Sequence, residues 1–223
     1  MNSDRAGPIS GPLPSTTAGL GTKQIDLSIV LPCLDEAASI VACIQDASRG
    51  LQNLGVRGEI IVADNGSHDN SRQLASEAGA RVIVTRRRGY GSALRAGIAS
   101  ARGEFVIMAD ADGSYDLANI AAIWQRLQAG DDLVIGNRLR GTISPGAMPF
   151  INRYIGNPLL SGLGRLVTNT RIGDFHSGMR GFHRATVLTL DLQADGMEYA
   201  SEMIARAAAM NLLCSPLHLV QFV

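Results

Sequence analysis

Two aspartates one residue apart, Asp110-Ala111-Asp112, follow the apolar run Phe105-Val106-Ile107-Met108-Ala109 and precede Gly113-Ser114. Carboxylates at this spacing on a turning chain can hold one hard divalent cation, which in turn bridges phosphate oxygens. The spacing by itself carries little: fourteen aspartates in 223 residues give about one such pair by chance. Its place after a buried-type strand favours a metal or phosphate role over simple capping of the next helix. Asp64-Asn65-Gly66-Ser67 closes a second apolar run. These are turn residues, yet a carboxylate at a strand end can also accept from the N–H of a nucleobase, and both readings stand. Gly89-Tyr90-Gly91-Ser92-Ala93, with Gly97, implies backbone in close approach to something. The preceding Arg86-Arg87-Arg88 reads as a solvated face, with anion binding as the alternative. Arg138 follows Gly136-Asn137 at a strand end and can reach the same phosphates. Arg153 and Asn157, four apart, share a helix face and can grip a further phosphate. Asp174 and Ser177-Gly178-Met179-Arg180 add an acid and another fork donor. The plain alternative for each arginine is an ion pair with one of the twenty acids. The four histidines show no metal-ligand spacing, and no serine sits in a nucleophile elbow.

Composition narrows the classes. Twenty basic residues balance twenty acidic ones, which disfavours a strongly basic nucleic-acid binder. Lys23 is the only lysine, so sites that require a lysine are excluded over nearly the whole chain. Cys33, Cys43 and Cys214 are an odd number, far apart and set in apolar sequence, which predicts buried thiols rather than a disulfide framework. No run approaches 18 apolar residues, so no membrane span is expected, and without a charged stretch followed by an apolar core at its start secretion is not expected either.

The elements that must position these residues alternate. A flexible tail rich in Gly, Pro, Ser and Thr is expected over residues 1–24, and one domain over 25–223. Strands are predicted at Leu27–Leu31, Glu59–Ala63, Arg81–Val84, Glu104–Ala109 and Asp132–Ile135. Helical stripes run from Ala37 to Leu51, Ser92 to Ala101 and Leu117 to Leu127, and Ser67 or Asp69 can cap the helix after the second strand. Strands alternating with helices predict an α/β fold with a mostly parallel, doubly wound sheet flanked by helices. Ligands of such sheets bind outside the carboxyl ends of the strands. The residues at those ends are polar: Asp35 and Glu36, Asp64 and Asn65, Asp110 and Asp112, Asn137 and Arg138. Beyond Gly141, prolines at 145, 149 and 158 predict broken helices over the sheet edge. Met197–Met210 reads as a helix and Leu217–Val223 as a strand. Stopping on an apolar strand suggests truncation at the C-terminus.

Taken together and in order, these pieces resemble the family 2 glycosyltransferases of GT-A fold, over roughly residues 25–221. The resemblance is carried by Leu31-Pro32-Cys33-Leu34-Asp35-Glu36, Val62 to Ser67, Arg88 to Ala93, Asp110-Ala111-Asp112, Gly136-Asn137-Arg138 and Asp174 to Arg180. Met148 to Arg153 and Gly196 to Glu202 are similar to the polyprenyl-phosphate branch, the dolichol-phosphate mannose or glucose synthase-like enzymes. The resemblance implies a metal-dependent, inverting transfer of a hexose from a UDP- or GDP-linked sugar to a polyprenyl phosphate, at the cytoplasmic face of the membrane. It implies Pro32, Leu34, Glu36 and Ala111 along the nucleotide, with Asp64 on the base. Asp110 and Asp112 would frame Mg²⁺ or Mn²⁺ on the donor diphosphate, stabilising the charge on the leaving group. Arg138 would assist between the two phosphate sites, and Asp174 would be a further catalytic acid. Arg153 and Asn157, with Ser177 and Arg180, would position the acceptor phosphate. A phosphate monoester is already an anionic nucleophile, so alignment and charge neutralisation can suffice without a general base.

Three positions depart from the family pattern. Asp35 stands where Asn is commoner, Asp64-Asn65 replaces a usual pair of acids, and Ser114 stands where some relatives place a metal-ligating glutamine. Relatives also continue with a basic loop that closes over the donor diphosphate, so a low-activity nucleotide-sugar-binding core is the alternative. A haloacid-dehalogenase-type phosphatase would share the Asp-Ala-Asp pattern. It needs a downstream lysine, however, and its motif opens the domain. A calcium loop fails because Ala121 stands where its closing glutamate belongs. Replacing Arg153 with Ala is expected to leave donor binding intact and to depress transfer, which titration and turnover on the same preparation separate; a collapse of donor affinity would move Arg153 to the donor subsite.

Overall fold

A computed structural model describes residues 24–137, 142–143, 177–218 and 221–222. The tail expected over 1–24, all but its last residue, and the broken helices after Gly141 lie outside the described residues. Strand β1 (Leu27–Cys33) is buried along its whole length. Leu27, Ile29, Leu31 and Cys33 enter the core layer of helix α1 (Ile40–Leu54), while Val30 enters the opposite layer, the period-two alternation of a central strand. Parallel to β1 run β2 (Gly58–Asp64) on one side and β4 (Phe105–Met108) on the other, and β3 (Arg81–Val84) continues outward from β2. Helix α2 (Ser71–Glu77) joins β2 to β3. Helix α3 (Tyr90–Ser100) then returns across β2 and β1 to start β4 on the far side. The direction of winding reverses at β1, so the carboxyl ends of β1 and β4 splay apart and leave a crevice between them.

Beyond β4 the order departs from simple alternation. After helix α4 (Ala121–Gln128), strand β5 (Leu133–Asn137) is parallel to β8 (Cys214–His218), but β7 (Arg180–His183) runs antiparallel between β4 and β5. Among the described residues the main sheet reads β3-β2-β1-β4-β7-β5-β8, and β6 (Thr142–Ile143) pairs separately with β9 (Gln221–Phe222). Helices α5 (Arg184–Thr189) and α6 (Tyr199–Ala209) pack with α3 on one face, and α1, α2 and α4 cover the other. The mostly parallel, helix-flanked sheet is the α/β architecture that the sequence predicts.

The remaining differences have local causes. The stripe from Leu117 becomes helical only at Ala121, because the Asp116 carboxylate accepts from Ala118 N (3.1 Å) and Asn119 Nδ2 (2.6 Å) and closes a turn first. Leu117 and Ile120 are nevertheless fully buried from that turn. Strand β7 was invisible because α4 presses on it: a Cβ at Gly181 would overlap Ile123, which leaves Phe182 as the lone large apolar residue of the strand. Among the described residues, the expected strand Leu217–Val223 corresponds to the end of β8 and to β9. The three cysteines are free, with Cys33 and Cys43 buried and Cys214 partly so.

At the end of the sheet away from the crevice, Glu59 ties three segments together. It accepts from Ser28 Oγ (2.9 Å), Arg102 N (2.7 Å) and Arg81 Nη2 (2.7 Å). Burial acts to raise this carboxyl, but the bonds from Arg81, Arg102 and Ser28 outweigh it and hold it below the usual glutamate range. Its contribution to stability is therefore complete above that range and is lost as pH falls through the depressed folded-state value. Glu59→Gln is expected to cost about 1–3 kcal/mol at neutral pH, read by urea unfolding. The gap to the wild type should close in acid; a gap independent of pH would show that the charge is not the source.

Candidate active site

A cleft of about 310 Å³ lies at the crevice where the winding reverses. Pro32, Leu34 and Glu36 from the end of β1 form one wall, and Asp110, Ala111 and Asp112 from the end of β4 form the other. Asn65 closes it from β2, and Tyr90 and Ala93 close it from the first turn of α3. All six residues that the sequence assigned to these two walls are brought together.

Polar stitching sets the first wall. Asp35 takes a left-handed conformation (φ 57°), which accounts for a short Asx side chain at this position. Its backbone N–H donates to Ser67 Oγ (3.0 Å), and its Oδ1 accepts from His68 N (2.6 Å). Glu36 N donates to Ser71 Oγ (2.8 Å) and Ala37 N to Asp69 Oδ2 (3.0 Å). Hydrogen bonds from the side chain and backbone of Ser71 hold the Asp69 carboxyl below its usual range, so it stays an acceptor. This bracket sews the loop after β1 to the loop after β2, and it leaves Leu34 half exposed at the cleft.

The second wall is held from below. Tyr90 Oη donates to Asp110 Oδ1 (2.7 Å), and Asp112 Oδ1 accepts from Ser114 N (2.9 Å). Between them, Cys43 Sγ donates to the Ala111 carbonyl (3.3 Å). Burial pushes the Cys43 thiol up to about 11, so it remains a neutral donor. Gly178 sits against the Asp110 carboxylate, where a Cβ would overlap both oxygens, and its N–H donates to Tyr115 Oη (2.7 Å).

Several assignments differ from the sequence reading. Asp64 is fully buried, and its carboxylate accepts from Gly66 N (3.1 Å) and Ser67 N (3.3 Å) with Arg72 Nε at 3.5 Å. It ties down the turn, and Asn65, one residue on, takes the place in the cleft wall. Ser177 and Arg180 are also fully buried. The Arg180 guanidinium donates to the carbonyls of Ser177 (3.0 Å) and Ala200 (2.5 Å), so these residues support the floor and are not presented as surface donors to an acceptor phosphate. The close approach at Gly89 and Gly91 is to the chain's own backbone: side chains there would overlap the carbonyls of Asp195 and Ala194. Arg87 pairs with Asp195 at 2.5 Å. Arg138, Arg153, Asn157 and Asp174 lie outside the described residues. Tyr90, Ala93 and Met197 were missed as cleft residues, and Asn65 was placed at the strand end without a role. Tyr90 and Asn65 stood inside motifs already singled out, read for their glycines and for Asp64 instead, and Met197, 65% exposed, has no local signal of its own.

The fold and this acid-lined cleft define a class, the glycosyltransferases of GT-A fold. The glucosyl-3-phosphoglycerate synthase of Mycobacterium tuberculosis, crystallised with Mn²⁺, UDP and glucosyl-3-phosphoglycerate, superposes with a TM-score of 0.70 at 22% identity, over 89% of this chain and 71% of that one. Within that class, the chain belongs to glycosyl transferase family 2, whose family model matches residues 28–189. This membership removes the phosphatase reading. The low-salt glycan biosynthesis hexosyltransferase Agl6 of Haloferax volcanii is 39% identical over 187 residues, which are 83% of this chain and 45% of the relative. The dolichyl-phosphate hexose transferase of the same organism is 27% identical over 183 residues, covering 82% and 77%. The chain thus spans about half the length of the first of these relatives.

Gly178→Ala is expected to displace the Asp110 carboxylate and to weaken divalent-dependent binding of nucleoside diphosphates about tenfold or more, while the variant still folds. Calorimetric titration beside a thermal melt reads both; unchanged affinity would mean that Asp110 is not held by this contact.

Proposed function

We propose that this chain carries the donor site of a metal-dependent, inverting hexosyltransferase that uses a UDP- or GDP-linked sugar and a polyprenyl-phosphate acceptor. The observation that carries the reading is the convergence of Asp110 and Asp112 with Pro32, Leu34 and Glu36 on one cleft at the switch point of the sheet. The relatives named above support the transfer of a hexose, and one of them is named for a dolichyl-phosphate acceptor.

The acids suit Mg²⁺ or Mn²⁺. Two carboxylates face one cleft, and no group of three or more His, Cys, Asp or Glu able to hold a metal occurs among the described residues. A hard cation held by one or two carboxylates, with diphosphate and water completing its shell, matches that donor set. Such a cation would neutralise charge developing on the leaving nucleoside diphosphate. Asp110 and Asp112 would hold it, and Pro32, Leu34 and Ala111 would seat the nucleoside beside Glu36. Arg138 would contact the phosphates, Arg153 and Asn157 would align the acceptor, and Asp174 is retained as a catalytic acid. In the transfer, an acceptor phosphate oxygen forms a bond to the anomeric carbon as the bond to the diphosphate oxygen breaks on the opposite side. The nucleoside diphosphate leaves with the electron pair and the anomeric configuration inverts.

The domain is assigned to residues 25–223 and its place of action to the cytoplasmic membrane face, where a lipid-linked phosphate is available. No helix among the described residues is long and apolar enough to cross a membrane.

The test is transfer of labelled hexose from UDP- and GDP-sugars to a polyprenyl phosphate in detergent, with Mn²⁺ or chelator. Lipid-linked product that requires the cation and falls at least a hundredfold in Asp112→Ala supports the reading. Equal activity in Asp112→Ala would sink the metal assignment, and label appearing only on a water-soluble acceptor would sink the lipid one.

A further inference from the structure

The Asp110 carboxylate is met from two directions. Gly178 lies against it, where a Cβ would overlap both oxygens, and Oδ1 receives the hydroxyl of Tyr90 at 2.7 Å. Tyr90 is the first residue of α3 and comes from the opposite side of the winding reversal, so this bond joins two crossovers of the sheet. A phenolic hydroxyl facing a carboxylate oxygen at this distance is the donor of the pair, because the ionised carboxylate can only accept.

Tyr90 is itself fixed from two sides. Asn65 Oδ1 accepts from Gly89 N (2.6 Å), and its Nδ2 donates to Thr85 Oγ1 (2.7 Å) and to the Arg87 carbonyl (2.9 Å). Both amide hydrogens are used, and one meets a carbonyl, a contact that a carboxylate cannot make. This gives a physical reason for an amide at position 65. On the other side, Ser92 N donates to the Asp195 carbonyl (3.1 Å), and the Asp195 carboxylate pairs with Arg87 and Arg95. A continuous run of contacts therefore leads from the end of β2, through Asn65 and Gly89, to Tyr90 and on to Asp110 at the end of β4.

We propose that Tyr90 is a positioning residue for the donor site, holding the Asp110 carboxylate in its cleft-facing orientation, with Asn65 and Asp195 fixing Tyr90 in turn. The proposal rests on the reading of Asp110 as part of a cation–diphosphate site. A carboxylate locked before the ligand arrives loses less rotational freedom on binding, and outer partners of this kind are typically worth about ten- to a hundredfold in metal affinity.

Tyr90→Phe removes one oxygen and keeps the ring. Calorimetric titration with UDP and with GDP, each with and without Mn²⁺, is expected to show about a tenfold weaker Mn²⁺-dependent affinity for the preferred nucleotide. Affinity without Mn²⁺ and the melting temperature should stay near those of the wild type, a split that general loosening of the fold would not give. A crystal structure of Tyr90→Phe should show the Asp110 carboxylate turned from its wild-type rotamer. Unchanged Mn²⁺-dependent affinity, or an unmoved Asp110 in that crystal structure, would overturn the proposal. Should the wild type bind neither nucleotide, the donor-site reading falls by itself, while the Asp110 rotamer in Tyr90→Phe still decides whether Tyr90 positions it.

Discussion

Strand β1 is buried on both faces, paired along its length with β2 on one side and over Leu27–Val30 with β4 on the other. A parallel strand in that position must be apolar throughout, as Leu27-Ser28-Ile29-Val30-Leu31 nearly is, and its one hydroxyl is spent on Glu59 and Gly103 N. Because the chain winds outward to β3 and then returns through α3 to β4, the strand ends cannot be closed over by a crossover at β1. The crevice follows from the order of the strands, and the acids at 110 and 112 inherit their position from it.

The floor beneath those acids leaves little slack. Gly178 and Gly181 both lie where a neighbouring side chain excludes a Cβ, one against Asp110 and the other against Ile123 of α4. Cys43 reaches the Ala111 carbonyl from α1, and Tyr90 reaches Asp110 from α3, so helices from both layers of the sandwich meet at the same three residues. Few substitutions near the acids are free of consequence for their geometry. In a preorganised site of this kind, charge stabilisation costs little rearrangement at the moment of reaction.

Much of this was legible in the sequence. Apolar runs marked β1 to β5, those of β1, β2 and β4 closing at Pro32, Asp64 and Asp110, and the polar residues at the carboxyl ends placed the cleft before any likeness was considered. What pattern could not supply was direction and depth. Asp64 and Asn65 are adjacent and similar in chemistry, and only the turn geometry shows that the first is buried under Gly66 and Ser67 while the second faces the cleft. Ser177 and Arg180 were placed at the acceptor phosphate by the family resemblance, yet both are fully buried where the chain enters β7, and the Arg180 guanidinium donates to backbone carbonyls. The glycines around Tyr90 correctly signalled a close approach, but the partner is the carbonyl path at 194–195, a long-range contact that local spacing does not encode.

The central claim is that the crevice at the winding reversal binds a nucleoside diphosphate through a divalent cation held by Asp110 and Asp112. Its most direct test is the melting temperature of the protein against a panel of nucleoside diphosphates and nucleotide sugars, with and without Mn²⁺. Binding to the folded state alone stabilises by about 2.7 kcal/mol at a hundredfold excess over Kd, a shift of several degrees in a chain of this size. The account predicts that shift for one base, only with the cation present, and its disappearance in Asp112→Ala. A shift that ignores the cation, or no shift with any nucleotide, would contradict it.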